Sequence, residues 1–321
     1  MTFVFKEAIG SVLVIPPWNA AMILSGRAIT AAIGAGCTVV MKASELSPLT
    51  HALLAEVFRD AGLPKGVINV VHSRREDAAA VTEALIAHPS IRKIDFIGSA
   101  AVGRLVGATA AKYLKPVTME LGGKCPAIVL DDADLPKAAH MCASGAMLHH
   151  GQICFGTERI IVEQKVADEF IALLVKQVEA TKMNGGVAVS ERIAANGLNI
   201  LKDAKEKGAK FLTGDAELLG KNSICPALIQ IDPKTKIEAM KIVDEESFTP
   251  TASVYVVEND DEAIALANRS AYGLNAAIHT RNLERAIKMG RELEYGQVHT
   301  NCPTTYASRK SYLSSSWWCL Y

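Results

Sequence analysis

The sequence has no CxxC pair, no Cys/His spacing of a zinc site, no GxGxxG at its first strand-to-helix turn and no surplus of either charge. Each absence removes a class of protein. Seven cysteines, at 37, 125, 142, 154, 225, 302 and 319, leave one over in any complete disulfide scheme, so reduced thiols in a cytoplasmic setting are expected, with no metal site. Lys+Arg and Asp+Glu both total 34, and the basic residues are scattered rather than gathered into runs, which argues against a nucleic-acid partner. The opening MTFVFKEAIG has no basic region ahead of a long apolar one. The apolar stretch Val12 to Leu24 is broken by Pro16, Pro17 and Asn19, so neither a signal peptide nor a membrane span is expected.

What is present is a chain of 321 residues, half of them hydrophobic, long enough to bury the cores of two domains. From residue 8 to about 120 short β-branched runs alternate with runs of helical length. Strands are predicted at Gly10–Ile15, Thr38–Met41, Val67–Val71, Ile94–Ile97 and Val117–Glu120. Helices are predicted at Met22–Ala35, Leu49–Ala61, Glu76–Ala87 and Ala101–Tyr113. This rhythm specifies an α/β fold with a Rossmann-like open, mostly parallel sheet. A second α/β stretch runs from Lys124 to about Asn301, with strands near Ala127–Leu130, Arg159–Val162, Ser253–Val257 and Ala276–His279, and helices such as Val166–Ala180 and Arg192–Lys207. The expected division is a domain at 1–120, a second at 121–301 and a divergent tail at 302–321, which holds two of the three Trp.

Several residues sit where such a fold does chemistry. Cys154 lies between Gly151 and Gly156, a setting that exposes a thiol and lets backbone approach a ligand, although any single cysteine is more often a small buried hydrophobe. Glu120 ends an apolar strand, and the carboxyl end of a strand in an open sheet is where a general base would stand; the alternatives are a solvated edge residue or a partner for Lys124. Pro17-Trp18-Asn19 follows the first strand, offering an amide donor to an oxyanion and an indole to wall a pocket, or simply a turn with a buried aromatic. Gly98 and Ser99 open a helix after a strand, where free N–H groups would hold a pyrophosphate. Lys42 and Glu45 likewise follow a strand and would grip ribose hydroxyls, or cap a helix.

Taken in order, Pro17-Trp18-Asn19, Lys42-Ala43-Ser44-Glu45, Gly98-Ser99 with Val102-Gly103, Glu120-Leu121-Gly122-Gly123-Lys124, Gly151-Gln152-Ile153-Cys154, Glu245-Glu246-Ser247-Phe248 and Tyr272-Gly273-Leu274 resemble the aldehyde dehydrogenase superfamily over residues 6 to 303. The ELGGK and GQxC blocks, whose Glu and Cys stand 34 residues apart, are the most specific. The resemblance implies an NAD-binding domain followed by a catalytic domain, and the oxidation of a small aldehyde to the carboxylic acid through a thiohemiacetal and a thioester on Cys154. It implies Cys154 as nucleophile, Glu120 as deacylation base, and Asn19 with the Cys154 N–H as the oxyanion hole. Trp18, Lys42, Glu45, Gly98, Ser99, Glu246 and Phe248 fall to cofactor binding. The stretches Leu130 to Leu135, Leu148 to Cys154 and Thr157 to Val162 look most like the salicylaldehyde and vanillin dehydrogenase branch, so an aromatic aldehyde is the expected substrate.

The departures are specific. Thr249 stands where the EExFGP block has Gly, and Ala100 and Ala101 stand where Thr and Glu often follow Gly-Ser. Family members are homo-oligomeric and carry a long segment ahead of the first strand seen here, and a final strand where Thr304 to Tyr321 matches neither loop nor strand. A chain truncated at both ends, without the oligomerisation segments, is therefore expected. The rival reading is a non-catalytic remnant of the same fold.

Overall fold

The computed structural model describes residues 1–181, 186–232 and 240–306. Two compact units emerge, Met1–Leu121 and a second beginning at Gly122. The first has strands β1 (Ser11–Ile15), β2 (Thr38–Lys42), β3 (Ile68–Val71), β4 (Ile91–Ile97) and β5 (Val117–Glu120). Between them run α1 (Ala21–Gly34), α2 (Pro48–Asp60), α3 (Ala78–Ala87) and α4 (Ala100–Lys112). All five strands are parallel, in the order β3-β2-β1-β4-β5. Chain order reverses between β1 and β4, so the carboxyl ends of those strands border the crevice where open α/β sheets bind ligands. On one face of the sheet Val12, Val14, Val39 and Met41 bury against Ala28, Ile29 and Leu54 of α1 and α2.

The second unit has β6 (Cys125–Val129), α5 (Leu135–Met147), β7 (Thr157–Glu163), α6 (Ala167–Thr181), α7 (Glu191–Glu206), β8 (Lys210–Thr213) and β9 (Ala227–Gln230). It continues with α8 (Lys241–Asp244), β10 (Thr251–Val257), α9 (Asp260–Asn268), β11 (Asn275–His279), α10 (Leu283–Glu292) and β12 (Gln297–Thr300). Its sheet runs β12-β11-β6-β7-β10-β9-β8, parallel except for β8 against β9. Successive residues feed opposite cores. Ile160, Val162, Ala252 and Val254 pack with α5 and α6 on one face, while Ile161, Tyr255 and Val257 pack with α7 and α9 on the other. Strands covered on both faces need apolar residues at their centres, which is why Ala127–Val129 of β6, Ile160–Val162 of β7, Val254–Val257 of β10 and Ala276–Ile278 of β11 are apolar.

Three strands, β8, β9 and β12, lie outside the sequence expectation. β12 is half-buried along its whole length and its residues QVHT are mixed in character, so it lacks the apolar run that marks the central strands. Residues 302–306, placed by the sequence in a divergent tail, belong to the packed second unit. Thr304 is fully buried, its hydroxyl pairs with that of Thr157 at 2.8 Å, and its carbonyl accepts from Asn275 at 2.9 Å. The rest of that tail, with Trp317 and Trp318, lies outside the described residues.

Candidate active site

In the first unit the sequence-predicted positions gather at the carboxyl ends of the parallel strands. Trp18 and Asn19 follow β1 and are half-buried. Lys42 ends β2 with 6% exposure, and burial lowers its ammonium pKa, with the Glu45 charge partly offsetting the shift. Glu120 ends β5 in register with Ile97, and its carbonyl accepts from the Gly98 amide at 3.0 Å. At 8% exposure its side chain is not a solvated edge group.

The phosphate-turn candidate is built from packing as much as from sequence. Ser99 is the exposed N-cap of α4, its hydroxyl accepting from the Val102 amide at 3.4 Å. A side chain on Gly98 would strike the Phe96 ring at 2.7 Å, and one on Gly103 would strike Leu121 at 2.3 Å. The second contact seats α4 directly on the chain leaving β5. The amino end of α4 therefore opens at the carboxyl end of β4, where unsatisfied helix N–H groups suit a phosphate. With Lys42 and Glu45 at the next strand end but one, this set fits a dinucleotide. His51 was not foreseen from sequence. Fully buried in α2, its Nδ1 accepts from the Ser44 amide at 3.1 Å and so ties the Lys42–Glu45 loop to the helix. Burial lowers the imidazole pKa, partly opposed by the Pro17 carbonyl.

In the second unit the candidate nucleophile stands at the opposite pole of the strands. Cys154 lies in a turn closed by the Gly156 amide on the Ile153 carbonyl at 2.8 Å, just ahead of β7, whose first residue pairs with Cys125 of β6. The amino ends of the strands thus carry the thiol. Cys154 is partly exposed, whereas Cys37, Cys125, Cys142 and Cys225 are buried; Cys302 is the other partly exposed thiol among the described residues. Cys125 lies just beneath, its Sγ 4.0 Å from the Cys154 carbonyl. Burial raises its thiol pKa, and that of Cys142 to about 12, so both stay protonated and inert.

Around the thiol three sequence blocks close on one another. Gly123 packs against the Cys154 carbonyl, which a Cβ would meet at 2.4 Å, and its amide donates to the Glu246 carboxylate at 3.0 Å. Lys124 gives its ammonium to Glu158 at 2.5 Å, with 1% exposure. Glu158 also accepts the Ser247 amide at 2.9 Å and the Phe248 amide at 3.0 Å, fixing the Glu246–Phe248 segment, where Phe248 takes a left-handed φ of 53°. Arg159 anchors the layer below. Its guanidinium donates to the carbonyls of Lys124, Leu266 and Ala267 and to the Tyr295 hydroxyl. Sequence reasoning assigned no role to Glu158 or Arg159, although two charges opening an otherwise apolar strand were the available signal.

Comparison with known proteins identifies the family. Residues 1–313 match the model of the aldehyde dehydrogenase family. Vanillin dehydrogenase of Pseudomonas fluorescens is 43% identical over 311 residues, covering 94% of this chain and 63% of that protein. A crystal structure of a salicylaldehyde dehydrogenase from Pseudomonas putida G7, complexed with salicylaldehyde, superposes with a TM-score of 0.88 at 38% identity, over 94% of this chain and 63% of that one. A betaine aldehyde dehydrogenase from Staphylococcus aureus in complex with NAD+ gives a TM-score of 0.87 at 30% identity, over 94% and 61%. The chain spans about 63% of the length of the first two relatives.

Proposed function

The chain belongs to the aldehyde dehydrogenase family, and from that premise we propose that it oxidises an aldehyde to the carboxylic acid with NAD, through a thioester on Cys154. The observation that carries the reading is the Cys154 turn, a partly exposed thiol whose carbonyl rests on Gly123 while that glycine's amide is held by Glu246. The first unit acts as the cofactor domain and the second as the catalytic domain. By family resemblance, Lys42, Glu45, Gly98, Ser99 and Trp18 of the first unit and, separately, Glu246 and Phe248 of the second are assigned to NAD, which would supply the hydride acceptor when bound.

The chain's own residues do the rest. The Cys154 thiolate adds to the carbonyl carbon, forming a C–S bond and leaving the electron pair on oxygen. Asn19 and the Cys154 N–H are assigned the donors for that oxyanion. Collapse restores the C=O bond as hydride leaves the carbon, giving the thioester. Glu120 takes a proton from water, the hydroxide adds, and the C–S bond breaks to return the thiolate and release the acid. A thiolate nucleophile fits a reducing, cytoplasmic setting. The likeness to vanillin and salicylaldehyde dehydrogenases supports an aromatic aldehyde as substrate.

The test mixes the purified protein with NAD and a panel of aromatic and aliphatic aldehydes, following reduced cofactor, with Cys154→Ala alongside. Turnover that is fastest on aromatic aldehydes and absent in the variant is expected. A folded protein that binds NAD yet turns over none of the panel would instead favour the non-catalytic reading.

A further inference from the structure

The three residues ahead of Gln152 all have left-handed backbone, with φ of 54° at His149, 58° at His150 and 71° at Gly151. Glycine takes this conformation freely, but two consecutive non-glycine residues keep it only where their surroundings enforce it. Here the surroundings are named atoms. Gly151 is pressed against the Thr249–Pro250 peptide so closely that a Cβ would lie 1.9 Å from the Thr249 carbonyl oxygen. His150 is 2% exposed, and its Nε2 accepts from the Ile224 amide at 3.1 Å. The Gln152 side chain donates to the carbonyls of His149 at 2.9 Å and Val187 at 3.2 Å, and accepts from the Val189 amide at 2.8 Å. The two anchoring segments are themselves joined, by the Ala188 amide on the Asn222 carbonyl at 2.8 Å and the Ser223 hydroxyl on the Gly186 carbonyl at 3.1 Å.

A nitrogen that accepts a hydrogen bond carries no hydrogen, so the His150 ring is neutral with its proton on Nδ1. We propose that His150 is a positioning residue: its Nε2, bound to the Ile224 amide, locks the left-handed turn that presents the Cys154 thiol. This rests on the reading of Cys154 as nucleophile. His150 does not itself meet the substrate; it acts on the turn two residues ahead of Ile153, while Gly151 and Gln152 hold the turn from the other sides.

Two substitutions separate the hydrogen bond from the backbone preference. Gln places an acceptor where Nε2 stands but is poor in the left-handed region, whereas Asn is at ease there yet is too short to reach Ile224. The measurements are the rate of Cys154 alkylation by iodoacetamide, located by peptide mapping, kcat with an aromatic aldehyde, and the Kd for NAD. Expected for His150→Asn are losses of about tenfold or more in alkylation rate and kcat with an unchanged Kd, and for His150→Gln near-complete retention. Equal rates in both variants and the parent, or loss in Gln with retention in Asn, overturn the positioning role while leaving Cys154 as nucleophile. Should His150→Asn fail to fold, the ring tautomer of the unmodified protein decides by ¹⁵N resonance: hydrogen on Nδ1 supports the proposal and hydrogen on Nε2 overturns it. If Cys154→Ala keeps turnover, the nucleophile assignment falls and this inference falls with it.

Discussion

The backbone N–H of Gly123 donates to the Glu246 carboxylate at 3.0 Å, while the same residue lies against the carbonyl of Cys154. One glycine therefore spaces the thiol-bearing turn from a carboxylate assigned to the cofactor. Gly122 repeats the constraint, with φ of 82° and a Cβ position 2.6 Å from Glu246 Oε2. The ELGGK, GQxC and EES blocks are separate in sequence and are joined here at the level of single atoms.

Gly123→Ala should therefore be costly in two ways. Its methyl group would have to displace the Cys154 carbonyl and Cys125, at about 1–3 kcal/mol for overpacking. Displacing the turn by about an ångström should lower kcat by roughly a hundredfold. Calorimetry and single-turnover kinetics read the two effects, and a variant with parental kcat would mean that this contact does not place the thiol.

Glu158 is the second joint, accepting from Lys124, Ser247 and Phe248 together. Glu158→Gln keeps an acceptor for one amide but leaves the buried Lys124 ammonium without its counter-charge, which should cost about 3–5 kcal/mol. Pairing it with Lys124→Met should recover most of that loss, because the stranded charge goes too. Urea denaturation of the parent, Glu158→Gln, Lys124→Met and the double variant checks it; a loss below about 1 kcal/mol in Glu158→Gln would show the ion pair to be dispensable.

The parts of this arrangement that were legible in sequence are those encoded locally. β1 through β5 alternate with helices closely enough that their periodicity sufficed, and the carboxyl-end rule pointed to Asn19, Lys42 and Glu120. That rule does not reach Cys154, which stands at the amino ends of β6 and β7 and was visible through its flanking glycines and the GQxC block. His150, Glu158 and Arg159 escaped notice for a different reason. Most of their partners are backbone atoms distant in the chain, such as the Ile224 amide and the Leu266 carbonyl, and a main-chain partner leaves no mark on residue type or spacing; the side-chain partners, Lys124 for Glu158 and Tyr295 for Arg159, lie 34 and 136 residues away. β8, β9 and β12 are no shorter than β3 and β5, but β8 and β9 follow one another with no helix between them, and β12 is mixed in character, so the strand–helix rhythm does not mark them.

Glu45, exposed three residues after the buried Lys42, bears on cofactor choice. A carboxylate accepts from a ribose 2′-hydroxyl and repels a 2′-phosphate, so catalytic efficiency with NAD should exceed that with NADP by about tenfold or more. Glu45→Gln should narrow the gap. Equal efficiencies in the parent protein would remove Glu45 from the cofactor site.

Glu120 is expected to act after hydride has left. Glu120→Gln should keep a burst of reduced cofactor equal to one turnover while steady turnover falls by about a hundredfold or more. Stopped-flow absorbance separates the phases. A burst that slows in step with the steady rate would make Glu120 a group that shapes the site rather than the deacylation base.

The last expectation concerns acid stability and lies away from the thiol. His279 closes β11 at 2% exposure, with Nε2 3.9 Å from the Cys142 sulfur. Burial, aided by the Lys137 charge, lowers its pKa from 6.5 to about 4. In the unfolded chain the ring takes up a proton as pH falls through 6.5, whereas the folded ring stays neutral until about 4. The unfolded state thus binds more protons across that window, and stability present above it is lost progressively as pH falls, to a limit of about 3 kcal/mol. Glu163 works in the opposite direction. Burial beside the Arg285 cluster pushes its carboxyl up to about 7, so its proton favours the folded state as pH falls. Comparison with His279→Gln removes that contribution, since Glu163 titrates in both proteins. The parent should lose stability relative to the variant between pH 7.5 and 4.5, with little further relative change below pH 4. A difference in unfolding free energy that stays constant across the range would show that His279 is protonated in the folded protein as readily as in the unfolded chain.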